Sequence, residues 1–231
     1  MVGDGWTDAL RVSLGVVTAA TVLVVAAGLP LAVALARPGW RGRGLVEVLV
    51  TLPLALPPAV LGFYLLELLG WDGPLGWLAR RLWGQTLIFT PAAAVLAAAV
   101  VGLPLFVQPA RAALEAVSAE VREAAAIDGA VGWRLVRHVI LPAAWPGVAT
   151  GILLAFARSL GEFGATLMVA GNIPGRTQTL PLAIYSAVQA GREDVAGRLA
   201  LLLTGVAALS LWAGSGWRRW GTGSGQGGWV R

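Results

Sequence analysis

Two opposite charges, Arg158 and Glu162, stand four residues apart inside a long apolar run of the chain. On a helix this spacing places both side chains on one face, and in lipid such charges must pair or face a polar interior. A guanidinium group is also a natural two-pronged ligand for a tetrahedral oxyanion. Two interpretations therefore stay open: a structural ion pair that holds helices together, or a direct contact with an anion.

A polar, alanine-rich segment, VREAAAIDGAVGWRLVRHVILP at 121–142, interrupts this apolar chain. Ser118 is suited to cap a helix of strong helix formers over 120–126, and Gly129 is suited to end it with a positive φ. A short helix followed by a tight turn forms a compact knob. The segment therefore predicts a contact with a soluble partner; an ordinary loop between helices is the alternative.

The composition excludes several functions. Of the 231 residues 57% are hydrophobic and 13% are charged, which indicates an integral membrane protein. All seventeen basic residues are arginine, and a chain without lysine cannot form a P-loop for ATP. The chain has no cysteine and only His138 as histidine, so we expect no metal site. The scattered arginines predict no nucleic-acid surface.

Five apolar stretches have about the 17–25 residues that a membrane-spanning helix needs. They predict an all-α integral membrane fold with about five transmembrane helices. The first stretch is longer than a signal-peptide core and follows acidic residues, so we expect it to be retained. Residues 214–231, rich in Gly and Ser, predict a flexible cytoplasmic tail. The predicted spans are 12–36, 45–69, 86–107, 146–170 and 196–213.

Prolines and glycines mark irregular places in two of these spans. Pro53, Pro57 and Pro58 interrupt backbone hydrogen bonding in the second span, which lipid tolerates only where protein or a water-filled cavity supplies partners. A broken helix beside a pathway and a purely structural break both fit. Gly161 and Gly164 in the fourth span allow close helix approach, either between two copies across a two-fold axis or within one subunit.

The arginines also predict an orientation. If the segment 118–142 faces the cytoplasm, ten arginines fall on that side and six on the other, in agreement with the positive-inside rule. The N-terminus is then outside and the C-terminus inside. The cytoplasmic set is Arg37, Arg41, Arg43, Arg111, Arg122, Arg134, Arg137, Arg218, Arg219 and Arg231, and the opposite set is Arg11, Arg80, Arg81, Arg176, Arg192 and Arg198.

The polar segment resembles a family signature. It reads Glu-Ala-Ala, three residues, Gly, nine residues and Val-Ile-Leu-Pro, which resembles the EAA signature of ABC importer permeases with valine in place of one isoleucine. The resemblance implies that 118–142 carries a coupling helix, which seats in a groove of a separate ATPase subunit that binds ATP and magnesium. No cofactor is expected on this chain. Arg122 and Glu123 are expected at the rim of that contact. The implied coupling residues are Glu123, Ala124, Ala125, Asp128, Gly129, Leu141 and Pro142.

Two further blocks, 154–181 and 52–62, are similar to molybdate permeases of the ABC class, with sulfate and tungstate permeases as close relatives. The resemblance implies a type I importer permease core over 1–213 that forms an oxyanion pathway in a bacterial or archaeal cytoplasmic membrane. It also implies a homodimer, two ATPase subunits and an extracytoplasmic substrate-binding protein. The implied docking contacts are Arg176 and Gln178, and the pathway and gate residues are Arg158, Ser159, Gly161, Glu162 and Gly164.

Within that pathway we expect Arg158 and Glu162 to maintain the gate and the helix packing. Any anion contact would be transient, because a strong fixed charge would trap the cargo. Two other protein classes compete with the importer. An ion-coupled secondary transporter would need embedded ionisable residues and inverted repeats, yet only Glu67 and Glu162 could form a relay and no repeat is evident. A non-transporting scaffold has no use for a broken second helix. Uptake that requires ATP and a separate ATPase chain distinguishes the importer from both.

Overall fold

The computed structural model describes residues 5–37, 39 and 42–222, except for the side chains of 215–222. Every regular element within these ranges is helical. In chain order the elements are α1 (Gly5–Leu35), α2 (Arg43–Ala55), α3 (Pro58–Leu69), α4 (Pro74–Trp83), α5 (Pro91–Glu115), α6 (Ala119–Ile127), α7 (Trp133–Leu135), a π-helical turn (Val136–Ile140), α8 (Leu141–Ala143), α9 (Trp145–Leu160), α10 (Gly164–Ala170), α11 (Leu180–Gln189) and α12 (Glu193–Thr222).

Three of these helices, α1, α5 and α12, are long and apolar enough to cross a bilayer by themselves. Two bent pairs add two more spans when each pair is counted as one. These pairs are α2 with α3, bent by 119°, and Trp133–Ala143 with α9, bent by 73°. The described residues thus form an all-α fold with up to five spans, in agreement with the number that the sequence predicts.

The bounds of the single-helix spans differ from the predicted ones. α1 begins at Gly5 rather than at residue 12. α5 begins at Pro91, where the hydroxyl of Thr90 accepts a hydrogen bond from the amide of Ala93, and it continues to Glu115. α12 continues to Thr222, so residues 214–222 of the predicted flexible tail are helical. Residues 223–231 lie outside the described part of the chain.

The second predicted span is broken at one of the places that its prolines predicted. Leu56 precedes Pro57, Pro57 precedes Pro58, and both preceding residues are extended, with ψ of 140° and 141°. A residue before proline is disfavoured in the α region, so two such residues in series stop α2 and redirect the chain. Pro53 does not break the helix and lies inside α2.

The fourth predicted span, 146–170, is not one helix. α9 ends at Leu160, and a separate helix, α10, begins at Gly164. The seven residues of α10 rise only about 10 Å, which is too short to cross a bilayer. Instead the fourth span includes the segment before α9, and α10 packs against α3. Hydropathy could not find this break because both sides of it are apolar.

The core lies around α5, which packs between α1 and α9. Phe106 of α5 is fully buried between two glycines. A Cβ added at Gly28 of α1 would lie 2.6 Å from Phe106 Cδ1, and one added at Gly151 of α9 would lie 2.7 Å from the Phe106 carbonyl oxygen. The two glycines therefore let both helices approach α5 closely, as small residues do in membrane bundles. A smaller cluster joins α1, α11 and α12.

The two ends of the bundle carry different groups of residues. The end of α5, the start of α2 and α6 meet at one end, which we call the α6 end. At the other end the amide of Leu180 donates a 2.7 Å hydrogen bond to Ser13 Oγ, and the amide of Phe89 donates to the Val169 carbonyl at 2.8 Å. The start of α1, the start of α5 and the loop 171–179 are therefore neighbours, on the side away from α6.

The helix α4 lies between the second and third spans and exposes the aromatic side chains that the sequence places there. Trp77 and Trp83 are exposed, as is Trp71 just before the helix. The guanidinium of Arg80 lies 4.5 Å from the centre of a Trp71 ring, and that of Arg81 lies 5.4 Å from Trp77. Exposed tryptophans on a short helix between two spans are typical of an anchor at the membrane surface.

Candidate coupling and pathway sites

Residues 118–130 form the predicted knob, a short helix followed by a tight turn. Ser118 caps α6, and its Oγ accepts a hydrogen bond of 3.4 Å from the amide of Val121. The helix ends at Ile127, and Gly129, with a φ of +82°, forms the turn after it, where the amides of Gly129 and Ala130 donate to carbonyls of the last helical turn. The capping residue and the left-handed glycine are both confirmed. They work within a few residues of each other, which is why the sequence alone predicted them.

The knob projects from the bundle. None of the nine residues of α6, all of them described, is buried. Glu123, Ala124 and Asp128 are exposed, and Ala125 is partly buried. The tip of the knob is apolar, which the signature does not predict: Ile127, Val131 and Trp133 are 87%, 63% and 64% exposed. The signal was their apolar character within a polar segment. Together these residues of the knob present an apolar surface with a carboxylate rim.

Arg122 is partly buried, unlike the exposed Glu123 beside it. Its Nη2 donates a 2.8 Å hydrogen bond to the carbonyl of Leu114, and its Nε donates a 3.1 Å bond to the carbonyl of Val117. The side chain is thus turned toward the end of α5, where helix carbonyls lack partners and a cation is favourable. Carbonyls at and just beyond the end of α5 thus engage the Arg122 guanidinium, and its contact with a partner surface stays a prediction.

The return to the membrane passes through a widened turn. Residues Val136–Ile140 form the π-helical turn, and the amide of Leu141 donates to the carbonyl of Val136. Pro142 has no amide hydrogen to continue the regular α pattern, so a local widening next to it has a direct cause. Leu141 is partly buried and Pro142 is exposed. These two signature residues therefore shape the bend and do not belong to the knob surface.

Arg158 and Glu162 form the ion pair that their spacing predicted. Arg158 Nη1 lies 3.0 Å from Glu162 Oε2, and the Glu162 side chain is 2% exposed while that of Arg158 is 32% exposed. The helix that carries Arg158 ends before Glu162, which lies in the break between α9 and α10. The second oxygen, Oε1, accepts a 2.9 Å hydrogen bond from the amide of Ala165. Glu162 thus caps α10 while it holds Arg158.

Ser159 connects the same region to the centre of the bundle. Its Oγ donates a 3.0 Å hydrogen bond to the carbonyl of Ala98 on α5, and the side chain is buried. A Cβ added at Gly102 would lie 2.8 Å from Ser159 Oγ. A buried hydroxyl needs a partner, and the carbonyl of α5 supplies it. Ser159 is therefore a packing contact between α5 and α9 in this structure.

The two glycines that flank Glu162 have different surroundings. A Cβ added at Gly164 would lie 2.9 Å from Pro58 Cβ, so Gly164 allows α10 to approach the start of α3 within one subunit. Gly161 is exposed, and the nearest described atom to an added Cβ is the Arg158 carbonyl at 4.0 Å. Packing within the subunit therefore explains Gly164. It does not explain Gly161.

The predicted docking residues are not equivalent either. Arg176 is exposed in a turn whose amides donate to the Ile173 carbonyl. Gln178 is partly buried, and its Nε2 donates to Asn172 Oδ1 at 2.8 Å and to Ser186 Oγ at 3.4 Å. Gln178 therefore ties the loop to α11, whereas Arg176 is exposed. No group of three His, Asp or Glu side chains within the described residues is arranged to hold a metal ion.

Helices long and apolar enough to cross a membrane, with an exposed knob at one end, fit the transmembrane subunit of an ATP-driven importer. Residues 28–217 match the family described as binding-protein-dependent transport system inner membrane component, and the chain belongs to that family. It is a permease subunit and not an enzyme, since ATP hydrolysis in such systems is carried out by a separate subunit.

Relatives with closely similar sequences support the resemblance to molybdate permeases. The chain is 41% identical over 205 residues to the molybdenum transport system permease protein ModB of Escherichia coli K12, covering 88% of this chain and 90% of the relative. It is 39% identical over 199 residues to the putative molybdenum transport system permease protein YvgM of Bacillus subtilis, covering 86% and 88%.

Solved structures support the fold. The inward-facing MetNI methionine ABC transporter matches with a TM-score of 0.76 at 22% identity, over 94% of this chain and 96% of that one. A bacterial alginate ABC transporter in complex with a periplasmic protein bound to alginate pentasaccharide matches with a TM-score of 0.74 at 16% identity, over 92% and 78%. At these identities the likeness concerns the helical architecture alone.

Proposed function

We propose that this chain forms the membrane pathway of a molybdate importer. Its relatives at about 40% identity are named as molybdenum transport permeases, and they match over most of their length. The structural observation that carries the proposal is the capped helix α6, which stands out from a membrane bundle without burying any of its nine described residues. A helix so exposed at the end of a bundle fits insertion into a groove of another subunit.

In the proposed assembly two copies of the chain form a two-fold pathway. Two ATPase subunits bind ATP and magnesium, and their closure moves the α6 knobs. The contact would consist of the apolar tip of Ile127, Val131 and Trp133 with the rim carboxylates of Glu123 and Asp128. The signature alanines, Ala124 and Ala125, would let the partner surface approach closely. Gly129 would maintain the turn after α6. Leu141 and Pro142 would maintain the bend through which the chain returns to the membrane.

The loop 171–179 lies at the end away from α6, where an extracytoplasmic binding protein would deliver the anion. Arg176 is the better candidate for that contact, because Gln178 is engaged with Asn172 and Ser186. In the pathway, the pair of Arg158 and Glu162 would keep the gate closed by holding the break between α9 and α10. An anion would meet the one-third-exposed Arg158 only in passing.

The proposed orientation places α6 and the C-terminus in the cytoplasm and the N-terminus outside. The chain contains no cysteine, so single cysteines can report on each side without background. We expect a cysteine at Asp128 to react with a membrane-impermeant thiol reagent only in inverted vesicles. One at Arg192 should react only in right-side-out cells. Reversed labelling would overturn the orientation.

Uptake in vesicles tests the function itself. Vesicles that contain the permease, its ATPase and its binding protein are loaded with ATP on the ATPase side and given radiolabelled molybdate on the other. We expect uptake that needs ATP, that is lost with a hydrolysis-deficient ATPase and that survives collapse of ion gradients. Uptake driven by an ion gradient without ATP would instead indicate a secondary transporter.

Competition identifies the anion. Excess unlabelled molybdate should abolish the uptake, and the concentrations of tungstate and sulfate that halve it rank the three oxyanions. If sulfate competes better than molybdate, the chain belongs to a sulfate importer and the molybdate assignment is wrong. If tungstate competes best, the tungstate alternative replaces it.

A further inference from the structure

Two helices at the α6 end bury few of their own side chains. Among its thirteen described residues α2 buries only Val50, and α6 buries none. By contrast, α5 is buried along its whole length, up to Leu114 in the last turn. Both α2 and α6 attach to this last turn of α5. The end of α5 is therefore the element that α2 and α6 share.

The attachment of α2 is a network of four charges. Arg111 of α5 lies 2.8 Å from Glu47 and 3.0 Å from Glu115, and Arg43 lies 2.6 Å from the same Glu115 oxygen. The Arg111 side chain is 18% exposed, the least exposed of the four. Partial burial strengthens such contacts relative to ion pairs in open solvent. Arg111 is thus the centre of the network, joining a carboxylate on each helix.

α6 is attached through the guanidinium group of Arg122 and its two hydrogen bonds, which we call the Arg122 fork. Its two hydrogen bonds, to Leu114 and Val117, end on the carbonyls at and just beyond the last turn of α5. A cleft lined by Ala119, Arg122, Glu115 and Arg43 separates the fork from the four-charge network. The two attachments therefore stand side by side on one helix end, each with its own arginine.

We propose that the end of α5 is a polar clamp, in which Arg122 positions α6 and Arg111 positions α2, so that a displacement of α6 is passed on to α2. Directional polar contacts suit this task because they can break and re-form without opening a cavity, whereas a packed core resists such sliding. The transmission part of the inference rests on the proposed coupling function of α6. The positioning part does not.

The far end of α2 connects the clamp to the region of the buried ion pair. α2 stops at the 119° bend before α3, and Pro58 at the start of α3 faces Gly164. Gly164 follows Glu162 by two residues, within the element that Glu162 caps. A shift of α2 therefore reaches the α3–α10 contact directly beside the buried ion pair. This gives a contiguous structural connection between the α6 end and the proposed gate.

Nitroxide labels test the positioning in the isolated permease. The cysteine-free chain allows one label at Ala126, exposed on α6, and in a second protein one label at Val48, exposed on α2. We expect Arg122→Gln to increase the mobility of the label at 126 but not at 48, and Arg111→Gln to do the reverse. The control Arg198→Gln removes an exposed ion pair with Asp194 and should change neither spectrum.

The assembled transporter tests the transmission. We expect both Arg111→Gln and Arg122→Gln to raise the ATP hydrolysed per oxyanion imported by about threefold or more, and Arg198→Gln to leave this ratio unchanged. Arg122→Lys keeps the charge but not the fork, so it should give an intermediate ratio.

Each outcome is decisive. The clamp is overturned if neither label gains mobility, or if both labels gain mobility together in every variant. The transmission is overturned if the arginine variants increase label mobility but leave the ATP hydrolysed per oxyanion normal, while Gly129→Val raises that ratio. If Gly129→Val also leaves the ratio normal, the coupling function of α6 is overturned and the transmission with it. The positioning would then stand on the label spectra alone.

Discussion

Arg158 and Glu162 stay paired, at 3.0 Å, although the helix that should carry both ends between them. The pair survives because Glu162 lies just beyond the end of α9, where its amide still donates to the Ser159 carbonyl. Its second oxygen accepts from Ala165 and so begins the next helix. One buried carboxylate therefore joins the end of α9 to the start of α10.

This relationship predicts how the pair responds to substitution. Arg158→Ala leaves the buried Glu162 without its cation, and we expect a loss of about 1–3 kcal/mol in stability, reduced from a fully buried pair because Arg158 is one-third exposed. Oxyanion uptake should fall as well. Thermal unfolding of the purified permease and uptake in vesicles measure the two effects.

Glu162→Gln serves as the matched variant. It keeps an oxygen for the Ala165 amide but removes the charge, so adding it to Arg158→Ala should restore part of the lost stability. If the double variant is as unstable as the sum of the single ones, the two side chains are not energetically coupled. If Arg158→Ala leaves uptake unchanged, the residue has no role in transport.

Gly129 tests the turn after α6. An added Cβ there meets no described atom within 4 Å, so a substitution is penalised only through the φ of +82°. We expect Gly129→Val to distort the turn at a cost of about 1–2 kcal/mol and to uncouple ATP hydrolysis from transport. Gly129→Asn tolerates the left-handed region and should behave almost as the original chain. Normal coupling with valine would contradict the role of the turn. ATP hydrolysis and uptake are measured in the same vesicles.

Gly164 and Gly161 form a pair of matched glycines around Glu162. Gly164→Ala brings a methyl group to about 2.9 Å from Pro58 Cβ, so α10 and α3 must separate, and we expect a loss of about 1–3 kcal/mol. Gly161→Ala meets open space in the single subunit and should leave its unfolding temperature nearly unchanged. The comparison is made by thermal unfolding of the purified permease.

The same two variants separate packing within the subunit from a contact between copies. If Gly161→Ala weakens self-association while the unfolding temperature stays constant, Gly161 lies against a second copy, as one of the two interpretations of the sequence predicts. Analytical ultracentrifugation in detergent measures that association. An equal loss of stability in both variants would contradict the different surroundings described for the two glycines.

We expect Ile127 to contribute to the affinity of the permease for the ATPase subunit. It is 87% exposed at the tip of the knob, so its replacement costs the isolated permease little. We expect Ile127→Ser to weaken binding of the ATPase subunit by roughly tenfold, in the range of a central apolar anchor. Ile127→Val removes only one methylene and is the control. Binding of the labelled ATPase to permease in nanodiscs measures both, and equal affinities would exclude Ile127 from the interface.

Several features were readable from the sequence because they depend on neighbours within one helical turn or two. The cap at Ser118, the left-handed Gly129 and the pair of Arg158 with Glu162 are all of this kind. The breaks show the limit. Consecutive prolines predicted the bend at Pro57. The break after Leu160 contains no proline, and the sequence on both sides of it is apolar.

The sequence by itself determined that this chain is a membrane protein, that it cannot bind ATP through a P-loop and that a short capped helix is followed by a tight turn at Gly129. Composition and local spacing suffice for those conclusions. Only the tertiary structure decided that Arg122 turns toward α5, that Gln178 is held by Asn172 and Ser186, and that Arg111 joins α5 to α2. The physical reason is separation along the chain: Arg43 meets Glu115 across 72 residues, and Ser13 meets Leu180 across 167. Contacts so distant form only when the packed helices bring their ends together.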